Sequence, residues 1–228
     1  MSLTYGDYFT PVVGKVYDAT ASIVISTLFD GMITQNTVFL LNKSLADSSE
    51  NNIQVIDKGL TVSNTGIMCT ENGYAEIPAY ALPDSVLCDN KDWTVEIKFR
   101  CTDAAAFYSQ PNGCALYGTS DEPLRFDLLI LRQNNNTEYN VNLGGYGIEH
   151  VGPISYITSG DWLIHKVTHS STNEFKSYFN SEVLSTNKYG KDIRSIAFPI
   201  GCSISKAPVG RPGYPFEIEY IRISNVIE

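Results

Sequence analysis

Glu217 and Glu219 stand two residues apart in Phe216–Tyr220 (FEIEY), and this is the nearest the chain comes to an acid and base pair. On an extended strand both side chains project to one side, opposite Phe216, Ile218 and Tyr220. Two carboxylates on one face are the minimum that glycoside hydrolysis needs. The pattern reads more simply as the solvated polar face of the closing strand. The apolar phase shifts at Ile221 and Ile223, which predicts a bulge or a strand buried on both faces. His165 and His169 lie four apart, a spacing that suits a metal on a helix. Their surroundings alternate as a strand does, so the two rings share a side with Val167 between them and lie far apart, which gives a zinc site little support. His150 is the only other histidine. Gly144-Gly145-x-Gly147 runs into Ile148-Glu149-His150 instead of a helix bearing Lys and Ser or Thr, so it reads as a loop and not as a phosphate cradle. No G-x-S-x-G elbow occurs.

Binding chemistry is better represented. Sugars are held by aromatic faces against C–H groups and by hydrogen bonds from Asn, Asp and Arg, often beside a calcium ion. The loop candidates for stacking and clamping are Phe107, Tyr108, Tyr146, Tyr156, Arg211 and Tyr214. Asp121, Glu122, Asp127 and Asn134–Asn136, with Asn135 at the centre, are the oxygen donors. The loops from Gly144 to Tyr156 and from Lys206 to Pro215 form the expected recognition edge. Tyr146, Tyr156, Arg211, Tyr214 and Asn135 are its principal residues. The bland reading of each is a turn residue or core aromatic. No defined calcium ligand set is present, and no cofactor is expected.

The elements that must position these residues are strands. Trp93–Arg100 (WTVEIKFR) alternates strictly, so Trp93, Val95, Ile97 and Phe99 face a core and Thr94, Glu96, Lys98 and Arg100 face away from it. Similar segments are Thr37–Leu41, Ile53–Ile56, Leu60–Val62, Tyr74–Ile77, Ser195–Phe198, Ile200–Ile204 and Phe216–Ile223. Arg125–Leu131 with Tyr139–Leu143, and Asp161–His169 with Phe175–Phe179, are expected hairpins. The whole predicts an all-β fold, two antiparallel sheets packed as a jelly-roll sandwich. Residues 1–35 differ. Val24, Ile25, Leu28, Phe29, Met32 and Ile33 form a helical stripe, with Asp18 or Thr20 to cap it and Gly31 to end it. The β-branched run Ile23–Ile25 argues against helix. The stripe either packs back on its own domain or serves as a docking arm for another chain. The expected division is an arm over 1–35 and a sandwich over 36–228.

Bulk properties limit the partners. A formal charge of -9 repels phosphate backbones and anionic lipid, so neither nucleic acid nor a membrane surface is expected. The five cysteines lack C-x-x-C spacing and read as buried, reduced thiols. The opening residues carry no secretory signal, which predicts folding in the cytoplasm.

Five segments, in order, resemble the laminin-G-like domains of the concanavalin A-like lectin/glucanase superfamily. Leu45–Asn52 (LADSSENN) is similar to a D-x-S-G-N turn, with Glu50 where glycine is usual. Gly73–Pro78 (GYAEIP), Trp93–Arg100, Gly160–Val167 (GDWLIHKV) and Phe216–Asn225 (FEIEYIRISN) resemble successive strands of that fold. The resemblance implies a jelly roll and makes His165 a structural position. The E-x-D-x-x-E strand of the superfamily's glycanases is absent, which leaves a non-catalytic protein as the expectation. A lectin-like fold with no export signal fits a bacteriophage virion protein, made in bacterial cytoplasm and released by lysis. Its arm would dock on other virion proteins as a capsid decoration, fibre or tail component, with host surface glycan as partner and a homo-oligomer as one form. The alternatives are a carbohydrate-binding module of a bacterial surface protein and, behind it, a glycanase acting through Glu217.

Overall fold

Alternating side chains dictate most of what is observed. The computed structural model describes residues 33–110, 113–119, 126–135, 138–143, 148–188, 192–203 and 211–228. The arm positions Val24, Ile25, Leu28, Phe29 and Met32 lie outside them, as do Asp121, Glu122 and Tyr146. In chain order the strands are β1 (Thr37–Asn42), β2 (Ile56–Lys58), β3 (Thr61–Val62), β4 (Ile67–Met68), β5 (Tyr74–Ile77) and β6 (Trp93–Cys101). Then come β7 (Cys114–Thr119), β8 (Phe126–Asn135), β9 (Glu138–Leu143), β10 (Ile148–Pro153), β11 (Leu163–His169), β12 (Glu174–Phe179) and β13 (Glu182–Lys188). The last are β14 (Phe198–Ile200), β15 (Cys202–Ser203), β16 (Arg211–Pro212) and β17 (Phe216–Ser224).

One sheet runs β13-β12-β11-β6-β17-β4-β3, with β1 also on β17; the other runs β10-β9-β8-β7-β14-β5-β2. Every pairing among the described strands is antiparallel. The two sheets enclose one core in which Phe99, Ile97, Val167 and Ile221 of the first meet Ile77, Tyr117, Phe198 and Ile200 of the second. The expected two-sheet jelly-roll sandwich is therefore present. β17 is its central seam. One edge of it pairs with β6, and the other carries β4 against Glu217 and Ile218 and then β1 from Tyr220 to Ser224. Against β6 the register slips between Ile218 and Tyr220, so the phase shift read in the sequence is a bulge at Glu219.

The Leu45–Asn52 turn is built on one carboxylate. Asp47 accepts the Leu40 N–H at 2.9 Å, the Ser49 N–H at 2.9 Å, the Ser49 hydroxyl at 2.8 Å and the Ile53 N–H at 2.7 Å. With its N–H taken, Ile53 cannot start a ladder, and the strand expected at Ile53–Ile56 begins only at Ile56. The turn joining β3 to β4 lies over β17, and a side chain at Gly66 would sit 2.6 Å from the Ile218 carbonyl and 2.9 Å from Glu217 Cγ. A strand carbonyl cannot retreat without breaking its ladder, so Gly66→Ala costs about 1–3 kcal/mol, read by urea unfolding. Wild-type stability in that variant would show that the turn does not press on the strand.

Candidate functional site

The chain leaves β10, makes one helical turn at Ile154–Thr158 and enters β11. Pro153 precedes the helix with φ −60°, a value its ring fixes. Ile157 anchors it in the core, and Gly160, at φ +83°, ends it in the left-handed conformation that suits glycine. Beyond it, the β12–β13 hairpin turns through Asn180 and Ser181, both at positive φ (45° and 73°), as a two-residue turn that matches strand twist requires. Asn180 binds this turn to β11. Its N–H donates to the Ile164 carbonyl at 2.8 Å and its Oδ1 accepts the Ile164 N–H at 2.8 Å.

Between helix, strand and turn lies a cleft of about 450 Å³ lined by Ser155, Tyr156, Ser159, Asp161, Trp162 and Asn180 among others. The Tyr156 ring rests 5.6 Å from that of Phe179, which is itself core and packs on Phe99 at 6.2 Å. The Tyr156 hydroxyl accepts from Asn180 Nδ2. Trp162 lies beside Arg100 and Lys98 of β6, whose cationic groups sit 4.6 Å and 5.6 Å from its ring centre. Two aromatic rings, each packed against other side chains, thus border a cleft lined by one carboxylate, one amide and the hydroxyls of Ser155, Ser159 and Tyr156. This combination matches the apolar C–H faces and hydroxyl edges of a sugar.

Arg100 is held in turn. Its Nη2 and Nε lie 2.6 Å and 2.7 Å from Glu217 Oε2, and Glu217 Oε1 accepts the hydroxyls of Thr65 at 2.5 Å and Ser63 at 3.0 Å. Glu217 was expected on a solvated face, and here the structure corrects the sequence. Its side chain is 1% exposed, because the Ser63–Gly66 turn covers it. Burial raises its pKa, but the hydroxyls of Thr65 and Ser63 and the Arg100 guanidinium more than offset this, leaving the carboxyl below its ordinary value. Glu219 is clamped by Lys98 at 2.5 Å and Lys43 at 3.5 Å. Glu217, held anionic and bonded at both oxygens, has neither a proton to give nor a lone pair free for attack.

The histidines behave as the strand reading expects. Both face the core. His165 Nδ1 meets the Tyr117 hydroxyl at 2.7 Å and Nε2 meets Ser177 Oγ at 2.9 Å, joining the two sheets, and burial pushes the ring's pKa down to about 3. His169 stacks flat on Trp93 with ring centres 4.8 Å apart.

Of the residues singled out in the sequence, Tyr156 lines the cleft. Phe107 is buried and Tyr108 exposed, on a one-turn helix at Ala104–Tyr108 and not on a loop, because Asp103 caps it by accepting the Ala106 N–H. Tyr214 does not line the cleft; its carbonyl accepts from the Cys114 thiol. Asn134 and Asn135 fall within β8, not in its turn, and Asp127 is in β8 as well. Arg211 opens β16, and Ile148–Pro153, expected as loop, is β10. Asn136 and residues 206–210 of the expected recognition edge lie outside the described residues. Sequence reading overlooked Trp162, Asp161 and Asn180. Parity could have found Trp162, since Trp162, Ile164 and Lys166 share the face opposite Leu163, His165 and Val167.

No protein-family model matches the chain, and no curated protein matches it. Among solved structures, its fold is similar to the receptor-binding domain of botulinum neurotoxin C/D mosaic serotype, with a TM-score of 0.59 and 12% identity over 86% of this chain and 49% of that one. It is similar to the binding domain of Paraclostridial Mosquitocidal Protein 1, with a TM-score of 0.58 and 14% identity over 85% of this chain and 49% of that one. A third likeness is to domain 4 of a GH43 extracellular arabinanase from Geobacillus stearothermophilus in complex with arabinotriose, with a TM-score of 0.51 and 14% identity over 83% of this chain and 92% of that one. The chain spans about half the length of the two toxin domains. At these identities the likeness is one of fold, a two-sheet β-sandwich.

Proposed function

We propose that this chain is a non-catalytic recognition protein whose sandwich binds a surface glycan in the cleft between Tyr156 and Trp162. The observation that carries the reading is the pair of packed aromatic rings bordering a cleft that polar side chains line. Two of the similar folds are binding domains and a third is a domain in complex with arabinotriose, which supports recognition over catalysis. A glycan array on the full chain, followed by titration calorimetry of Trp162→Ala and Tyr156→Ala, tests it. Each variant is expected to weaken binding about tenfold or more, roughly 1.4 kcal/mol, with thermal unfolding still cooperative. Undiminished binding in both folded variants would move the site elsewhere.

The setting we propose is a bacteriophage virion, with the sandwich as adhesion element and the first 35 residues as the arm that docks on other virion proteins. A recognition-type fold whose five cysteines are all buried and unpaired supports it, since such a chain suits folding in a reducing compartment. Mass spectrometry of purified particles is the direct test, and recovery of the chain only as a free protein would remove the virion from the reading. A carbohydrate-binding module of a larger bacterial protein is the second reading, favoured by the 92% coverage of the arabinanase domain.

A further inference from the structure

The charges around the cleft restrict its ligand more narrowly than its shape does. Two cations lie close by, but each has its own carboxylate. Arg100 is paired with Glu217 at 2.6 Å and Lys98 with Glu219 at 2.5 Å, and both also lie against the Trp162 ring. Asp161 is different. Its N–H donates to Ser159 Oγ at 3.1 Å, while its carboxylate makes no hydrogen bond or ion pair among the described residues and is exposed to the cleft. The Trp162 indole N–H is likewise unpartnered among the described residues, and Asn180 spends only one of its two amide hydrogens, on Tyr156.

Three kinds of glycan-like ligand meet this arrangement differently. An acidic sugar would set its carboxylate or phosphate against Asp161, with the nearby cations already neutralised and a chain of net charge -9 around it. A quaternary ammonium group would suit Asp161, but on the Trp162 ring it would meet the charge of the two cations already beside that ring, which an uncharged C–H face does not feel. An uncharged sugar satisfies every open group. Adjacent hydroxyls donate to the Asp161 carboxylate and accept from Asn180 and the indole N–H, while the rings cover its C–H faces.

We propose that the cleft selects uncharged saccharides presenting adjacent hydroxyls, and that Asp161 is the residue that sets this selection. The inference rests on the reading of the cleft as a sugar site. Selection by Asp161 acts at contact distance, so it persists at physiological salt, where steering by the overall charge is screened.

The test is a glycan array of neutral oligosaccharides and their uronic and sialic acid counterparts. Calorimetry in 0.15 M salt follows, with the best neutral ligand, its uronate and choline, on the full chain and on Asp161→Asn. The uronate is expected to bind at least tenfold more weakly than the neutral sugar. Asp161→Asn should lose affinity for the neutral sugar and narrow that gap to about twofold or less. Acidic sugars that bind as well as neutral ones, choline binding abolished by Asp161→Asn, or a gap unchanged in the variant would each overturn the selection while leaving a sugar site in place. Failure of the folded protein to bind any saccharide would overturn the site reading, and the selection with it.

Discussion

Replacing Arg100 with alanine is expected to destabilise the domain by about 3 kcal/mol, because it leaves a buried carboxylate without its cation. Glu217 is almost wholly inaccessible, and the Thr65 and Ser63 hydroxyls that remain would have to carry its full charge. Arg100 is about a third exposed, which places the loss at the low end for a broken buried pair. The double variant Arg100→Ala with Glu217→Gln should recover most of the loss, since the charge that needed pairing is gone. Lys98→Ala is the contrast. Lys98 and Glu219 are both partly exposed, and a pair of that kind is worth about 0–1 kcal/mol. Urea unfolding of the four proteins measures the set. If Arg100→Ala and Lys98→Ala cost the same, the buried network does not hold β6 and β17 in the way described.

The second large effect is a loss of stability on mild acidification. An unfolded chain protonates its histidine near pH 6.5, whereas burial keeps His165 neutral in the fold down to about 3. Between those values the unfolded state binds the extra proton, so stability falls as pH falls, by about 1.4 kcal/mol per pH unit. Above pH 6.5 this contribution is complete and constant. From pH 7.0 to 5.0 the expected loss is about 2 kcal/mol. Glu217 and Asp192, whose pKa values are also depressed, add their share only at lower pH, and a His165→Gln variant separates this ring from His150 and His169. His165→Gln keeps a donor and an acceptor between Tyr117 and Ser177 while removing the titration. Its urea unfolding should change much less between the two pH values. Equal stability of the wild type at pH 7.0 and 5.0 would mean that the ring takes its proton within the fold.

What the sequence reveals follows from how each strand is buried. β6 and β11 have one face in the core and one outside, so their alternation is visible and their ends come out within a residue or two. β7 has Ala115, Leu116, Tyr117 and Gly118 buried in succession, so it shows no alternation to read. The helices at Ala104–Tyr108 and Ile154–Thr158 are five residues each, too short for a helical period to register. Parity places Glu217 correctly on the face away from the core, yet nothing local announces that a turn 150 residues earlier in the chain covers it. The cleft was half legible for a related reason. Tyr156 stands out as an aromatic near glycines, but Asn180 joins it only through a hairpin that the sequence does not advertise.

The place of β17 has a consequence for the birth of the protein. The strand that holds β6, β4 and β1 together follows all the other described strands in the chain. Until β17 emerges, one sheet has no middle, and β1 waits with its hydrogen-bonding edge open for a partner nearly two hundred residues away. Contacts of such separation form slowly, and an open strand edge is the part of a nascent sheet most prone to pair with a neighbouring chain. Closure of the sandwich therefore waits for β17 to slide into the gap between β6 and β1.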